Sequence, residues 1–289
     1  MKSLSVKAKM LLLSGLMVTS IVVLAAMLSF GMHSLVQIGQ SSTLSSQAET
    51  TMQSLRINEK DFFNRLDLKY QTQFNENHRI IKQQLSDLDS QLKSEDIQLE
   101  NFSHLLELLQ QYHAGFNEIV ATQQTIGLNH TDGLYGTLRA SVHEAEQMLG
   151  KFQDDTLLKD MLMLRRNEKD FLLRKDVNYL DTFNKNLQVF YQNLQQSYLS
   201  DFEQREISGL MQNYSSDFTT LVKTYEELGF NEDLGQIGSM RTTVYEIQDL
   251  LHDTAEQIAD ELLMHEKSIF IKAIISIIVI LAALVILSQ

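Results

Sequence analysis

Proline, cysteine and tryptophan are all missing from this chain of 289 residues. Average usage would supply about 14 prolines. Their absence fits long uninterrupted helices, because proline removes an intrahelical donor and clashes with the preceding turn. Without cysteine there is no disulfide, no thiol chemistry and no thiolate metal site. The eight histidines show neither HxxH nor HxxxH spacing, so no metal site is expected. No nucleophile–base arrangement, glycine-rich phosphate loop or serine-centred elbow is present. The expectation is a non-enzymatic, all-α protein without a cofactor.

Charge of one sign is also scarce at the ends and in excess between them. Net charge is −13. Lys2, Lys7, Lys9 and Lys272 are the only charges within residues 1–31 and 268–289, so the intervening segment carries −17. Such a surface does not suit nucleic-acid backbones or anionic lipid heads. Residues 10–30 form an uncharged apolar run of membrane-spanning length. The lysines before it favour a cytoplasmic N-terminus for residues 1–9. A cleaved signal peptide ending near Ala25-Ala26 is the alternative, but the run is long for one. A second apolar run occupies 268–288, with Lys272 close enough to its start to snorkel. Two spans leave residues 31–267 outside. The sequence ends at Gln289, which is expected of either a fragment of a longer receptor or a truncated product.

Two stretches organise the rest. LRINEKDFFNRLDLKYQTQF (55–74) and LRRNEKDFLLRKDVNYLDTF (164–183) agree at 11 of 20 positions, 109 residues apart. GLNHTDGLYGTLRASVHEAE from Gly127 and GFNEDLGQIGSMRTTVYEIQ from Gly229 form a second repeat, at an offset of 102. The difference of seven residues is two helical turns, which a bundle can lose without changing its buried face.

Phe62, Leu66, Tyr70 and Phe74 recur every four residues, and Ile81, Leu85, Leu88 and Leu92 extend the pattern. This predicts one long helix from the Ser/Thr/Gln-rich segment at 34–53 to about residue 90, with a polar reversal at 90–96. A second helix is predicted over 97–125, a glycine turn at 127–133, and a third helix over 134–149. Residues 150–155 read as a reversal rather than a kink. A fourth helix covers 156–200, a fifth 202–228, and a sixth runs from about Ile237 into the second apolar run. Six helices of these lengths suggest two stacked four-helix bundles: a distal module over about 75–180, and a proximal module over 34–74 plus 181–267. Both copies of NEKDF then approach the junction of the modules.

The charged residues of that motif admit a plain explanation, a salt-bridged collar of Glu59, Lys60, Asp61, Asp67 and their twins, each pair worth under about 1 kcal/mol. The arginines carry a sharper expectation. Arg139 and Arg241 fall early in their helices, where the positive helix end adds to their charge. Arginine matches a carboxylate in bidentate fashion. A small organic acid is expected at Arg241 with Arg56 or Arg165, and at Arg139 with a motif arginine, Arg166 and Arg174 being further candidates. Pairing with Glu144 or Glu246 is the rival. Tyr135, Tyr245 and Thr243 are positioned to line such pockets. Gly127, Gly133, Gly229 and Gly235 read as turn residues. Gly136 and Gly238, inside helices, suggest close packing or a ligand-facing backbone.

With RRNEKDFLLRKDVNYLDTF and IGLNHTDGLYGTLRASVHEAE in view, the chain resembles the helical bimodular ligand-binding region of bacterial methyl-accepting chemotaxis receptors, over nearly its whole length. The resemblance implies a periplasmic sensor domain anchored in the bacterial inner membrane. It implies small organic acids as ligands, tricarboxylic-acid-cycle intermediates among them and acetate-like ligands in the distal module. Arg56 and Arg241 match best in the proximal module, with Arg139, Arg165 and Arg174 following. It further implies a homodimer paired in coiled-coil fashion through the first helix, a helix shift as the transmembrane signal, and, in a full-length receptor, a chemotaxis kinase and its coupling protein as partners. The expectation is of a sensor region without the cytoplasmic signalling part of such a receptor. The sensor region of a histidine kinase and a non-sensing helical scaffold are the competing readings.

Overall fold

The computed structural model describes residues 6–288. Among these there are eight helices and no strand: α1 (Val6–Arg65), α2 (Lys69–Ser94), α3 (Phe102–Ile126), α4 (Gly133–Phe152), α5 (Asp155–Arg174), α6 (Asn178–Gln196), α7 (Asp201–Leu228) and α8 (Gly235–Ser288). Lys2, with most of the expected cytoplasmic segment, lies outside the described residues. The start of α1 and the end of α8 are long and apolar enough to cross a membrane, and no residue of their most apolar windows is buried within the protein. The two helices touch there. A Cβ added to Gly31 would fall 2.8 Å from Ile269, so this glycine permits a close approach.

Two long helices expected from the apolar spacing are each broken in two. The first reverses at Leu66 and the fourth at Lys175, giving eight helices where six were expected. Neither break uses glycine or proline. Leu66 and Lys175 adopt left-handed backbone, φ 50° and 53°. Their amides donate to the carbonyls of Phe62 and Phe171, at 2.7 Å in both cases. The next residue is an aspartate in each copy. Asp67 Oδ1 accepts the Lys69 amide, and Asp176 Oδ1 the Asn178 amide, both at 2.9 Å. This aspartate turn starts the following helix, and it offsets a left-handed cost of about 1–2 kcal/mol. The 150–155 reversal is present: Gln153 is left-handed, and Asp154 caps α5 by accepting from Thr156 and Leu157. Ser200 and Glu203 form a capping box at the start of α7.

By packing, the chain divides into two compact units. One comprises the chain up to Leu55, Glu76–Glu107 and the chain from Ile247; the other comprises Arg56–Asn75 and Leu108–Glu246. In the first unit, the Ser/Thr-rich part of α1 is helical and buries Ser41, Ser45 and Ala48, and Leu85, Leu88 and Leu92 of α2 and Leu251 and Ile258 of α8 are buried as well. Gln91 of α2 reaches back to Gln37, 2.8 Å between side chains. The Ser34 hydroxyl of α1 meets both Glu95 and His265.

In the second unit two aromatic clusters repeat each other. Phe62, Phe74, Phe116 and Tyr112 are fully buried, as are Phe171, Phe183, Phe218 and Tyr214. The Phe74–Phe116 ring centroids are 4.0 Å apart and the Phe183–Phe218 centroids 4.7 Å. Each such side chain contributes about 1.5–3 kcal/mol through burial. α6 packs on α5 and α7 on α4. The expected grouping, which put residues 181–228 beside the first helix, followed from two unbroken long helices. The reversal at Lys175 instead returns α6 along α5.

Candidate functional site

Both copies of the repeated motif build a pocket in the second unit, and they do so separately. In the first copy, Arg56 and Glu59 sit one turn apart on α1. Arg56 Nη1 lies 2.7 and 2.6 Å from the two Glu59 oxygens. The Tyr112 hydroxyl of α3 donates to the same carboxylate at 2.6 Å. In the second copy Arg165 Nη1 donates to Glu168, the Tyr214 hydroxyl of α7 donates to it at 2.9 Å, and Lys169 Nζ adds a contact at 3.1 Å. Glu59 and Glu168 are 6% and 2% exposed, which overturns the surface-collar reading for these two. A carboxylate so placed needs its partners, since isolated buried charge costs several kcal/mol. Burial, followed by the adjacent carboxylate, pushes the Tyr112 and Tyr214 hydroxyls well above their ordinary range and keeps them as donors. Burial works against the Arg56 and Arg165 cations, but the neighbouring glutamates more than offset it and raise both.

Beside each brace lies a cavity. That of the first copy, about 380 Å³, is lined by Arg56, Glu59 and Lys60 of α1, Gly229–Glu232 of the loop before α8, and Met240 and Arg241 of α8. That of the second, about 620 Å³, is lined by Arg165, Glu168 and Lys169 of α5, Thr131 before α4, and Tyr135, Gly136, Arg139, His143 and Glu146 of α4. The pairings are therefore Arg56 with Arg241, and Arg165 with Arg139. The open choice between Arg56 and Arg165 as partner of Arg241 falls to Arg56.

Other candidates stand elsewhere. Arg174 is exposed, pairing with Asp170 at 3.7 Å and donating to the Tyr179 hydroxyl at 2.8 Å. Arg166 also pairs with Asp170. The Thr243 hydroxyl is spent on the Ser239 carbonyl of its own helix. Tyr245 lies outside the cavity lining but accepts from Arg241 Nε at 2.7 Å and so orients it. Arg139 and Arg241 occupy the second turns of α4 and α8, one turn further in than expected, where the helix-end field has largely fallen away. Arg241 pairs with Glu232 of the loop.

The glycines shape the loops over both cavities. Gly127, Gly133, Gly229 and Gly235 have positive φ, between 54° and 121°. A Cβ at Gly136 would fall 2.2 Å from the Thr131 carbonyl oxygen, and one at Gly238 2.4 Å from the Asp233 carbonyl carbon. The close approach expected of these two is to the loop that precedes their own helix, not to another helix.

Sequence reasoning missed the tyrosines of the brace, both lysines, Glu146 and Glu232. A signal for the first existed. Tyr112 and Tyr214, like Phe116 and Phe218, stand 102 residues apart, at the offset of the glycine-loop repeat. Among the described residues no cluster of histidine and carboxylate side chains could hold a metal ion. Compared with models of protein families, with curated proteins and with solved structures, the chain matches none.

Proposed function

We propose that this chain is the sensor region of a two-span transmembrane receptor of the chemotaxis type, which binds small organic acids outside the bacterial inner membrane. One observation supports it above the others. At equivalent positions of an internal repeat, two cavities each join a half-buried arginine of the NEKDF stretch to a second arginine on the helix after a glycine loop. Guanidinium groups on two walls of a small cavity suit a carboxylate. A protein that needed only rigid helices would gain nothing from open, cation-lined cavities at both copies.

In this reading the two compact units are the two modules of a bimodular sensor in the periplasm. Two copies of the chain pair through α1. Arg56 is on the helix that begins as the first apolar run, and Arg241 on the helix that ends as the second. A ligand that draws these arginines together biases α1 against α8, provided it binds one arrangement better than the other.

The test is calorimetric titration of the full chain in lipid nanodiscs with acetate, succinate, malate and citrate. Binding of at least one acid is expected, with Arg241→Ala removing one component and Arg139→Ala the other. Absence of heat and of any melting shift with every acid would turn the assignment towards a scaffold.

A further inference from the structure

The two loops over the cavities descend from one repeat, yet they are held down differently. In the loop before α4, Asn129 Oδ1 accepts the Thr131 amide at 2.9 Å and the Thr131 hydroxyl at 2.6 Å, and its amide group donates to Asp132. That loop is tied to itself. In the loop before α8, Asp233 and Leu234 replace Thr131 and Asp132, so neither side-chain tie can form. Asn231 keeps one equivalent bond, accepting the Asp233 amide at 2.9 Å. Besides the Phe230 ring on Phe171 and the Gly238 amide on the Leu234 carbonyl, a side-chain tie holds this loop to the helix: the Glu232 carboxylate pairs with Arg241 Nη1. The equivalent position in the other loop is His130.

Glu232 is 71% exposed at its side chain while Arg241 is 26% exposed. The acid therefore reaches in from solvent to a cation fixed from behind by Tyr245. Both residues line the cavity. We propose that Glu232 is a built-in occupant of the carboxylate position on Arg241, and that an incoming acid displaces it and releases the 229–234 loop. This rests on the carboxylate reading of the cavity given above. It makes the cavity at Arg241 a switch, whereas the cavity at Arg139 keeps its loop closed by internal bonds whatever it binds. Exchange of one carboxylate for another also sets a threshold, because a ligand must compete with a tethered group.

The experiment measures amide hydrogen exchange in 229–234 and 127–132 on the full chain in nanodiscs, alongside titration with acetate, succinate and citrate. In the wild-type protein a saturating acid speeds exchange in 229–234 and leaves 127–132 unchanged. Glu232→Gln shows the faster exchange without any acid, and binds the acid about two- to fivefold more tightly, the span for one partly exposed ion pair. Equal exchange in the two proteins overturns the proposal. So does equal affinity, or slower exchange of 229–234 on adding acid. An acid that binds wild type and variant alike sinks the latch and spares the carboxylate site. No uptake by either protein sinks the carboxylate site itself.

Discussion

The Arg56–Arg241 and Arg165–Arg139 cavities share a frame and differ in their walls. The frame is an arginine, a buried glutamate one turn later and a tyrosine from a different helix, repeated with the same geometry. The walls neutralise their cations in unlike ways. Glu232 comes from a loop onto Arg241, while Glu146 of α4 lies 3.1 Å from Arg165 Nε. Lys169 leans on Glu168, whereas Lys60 lines the open face of its cavity. The lesson is a division of labour. The buried brace fixes where the cations stand, and the exposed acids around it decide what they are free to bind.

Removing a brace carboxylate tests the frame and should give the largest effect. Glu59→Ala strands Arg56 and the Tyr112 hydroxyl, and Glu168→Ala strands the Tyr214 hydroxyl and frees the exposed Lys169, leaving Arg165 with Glu146 alone. Breaking a buried pair from one side costs about 3–5 kcal/mol. Both variants should melt well below the wild type when helical circular dichroism is followed with temperature. Glu59→Ala should melt lower, because Arg56 loses its only acid whereas Arg165 keeps Glu146. Equal melting of wild type and variants would mean that the brace holds nothing.

Much of the comparison was legible in the sequence. The repeat pointed to Arg139, Arg241 and the motif arginines without deciding how they pair, and to the glycine loops; helix lengths pointed to the 150–155 reversal, and the apolar runs stood out by length alone. Two things did not. The reversal at Leu66 hides inside the spacing Phe62, Leu66, Tyr70, Phe74, where a turn lets Tyr70 and Phe74 stay buried on a new helix just as a continued one would. Only the Asp67/Asp176 pair marked it, and aspartate is common on helix surfaces. The burial of Glu59 depends on Tyr112, 53 residues away. No local pattern tells a buried glutamate from a solvated one when its partner arrives from another helix.

A smaller effect separates the copies at the neighbouring asparagine. Both are buried, at 8% and 5% exposed. Asn58 Nδ2 donates to Gln73 at 3.3 Å. In the second copy Thr182 takes the place of Gln73, and Asn167 Nδ2 has no hydrogen-bond partner. Losing one partner of a made bond costs about 1 kcal/mol or more, while replacing an unsatisfied polar group is near neutral or stabilising. Asn58→Leu should lower the melting temperature, and Asn167→Leu should hold or raise it. The reverse order would show that Asn167, not Asn58, is the satisfied member.

The finest distinction lies at the two left-handed turn residues, Leu66 and Lys175. Burial lowers the Lys175 ammonium to about 8, although its Nζ rests 3.5 Å from the Tyr225 ring centroid, a contact that favours the cation. In the unfolded chain this lysine titrates near 10.4. Between about 8 and 10.4 the unfolded state therefore holds more protons, and stability rises with pH across that window. Below about 8 both states are protonated, and the folded one bears the whole burial cost. Lys175→Leu copies the residue that the first turn already accommodates at the same φ. It should stabilise the protein at pH 7, and the gain over wild type should shrink as pH rises from about 8 towards 10.4. Comparing melting temperatures of the two proteins at each pH cancels the other titrating groups, such as Tyr225, which burial pushes up to about 12. A gain that stays constant from pH 7 to 10 would mean that the Lys175 charge plays no part, and that the two turns differ only in apolar packing.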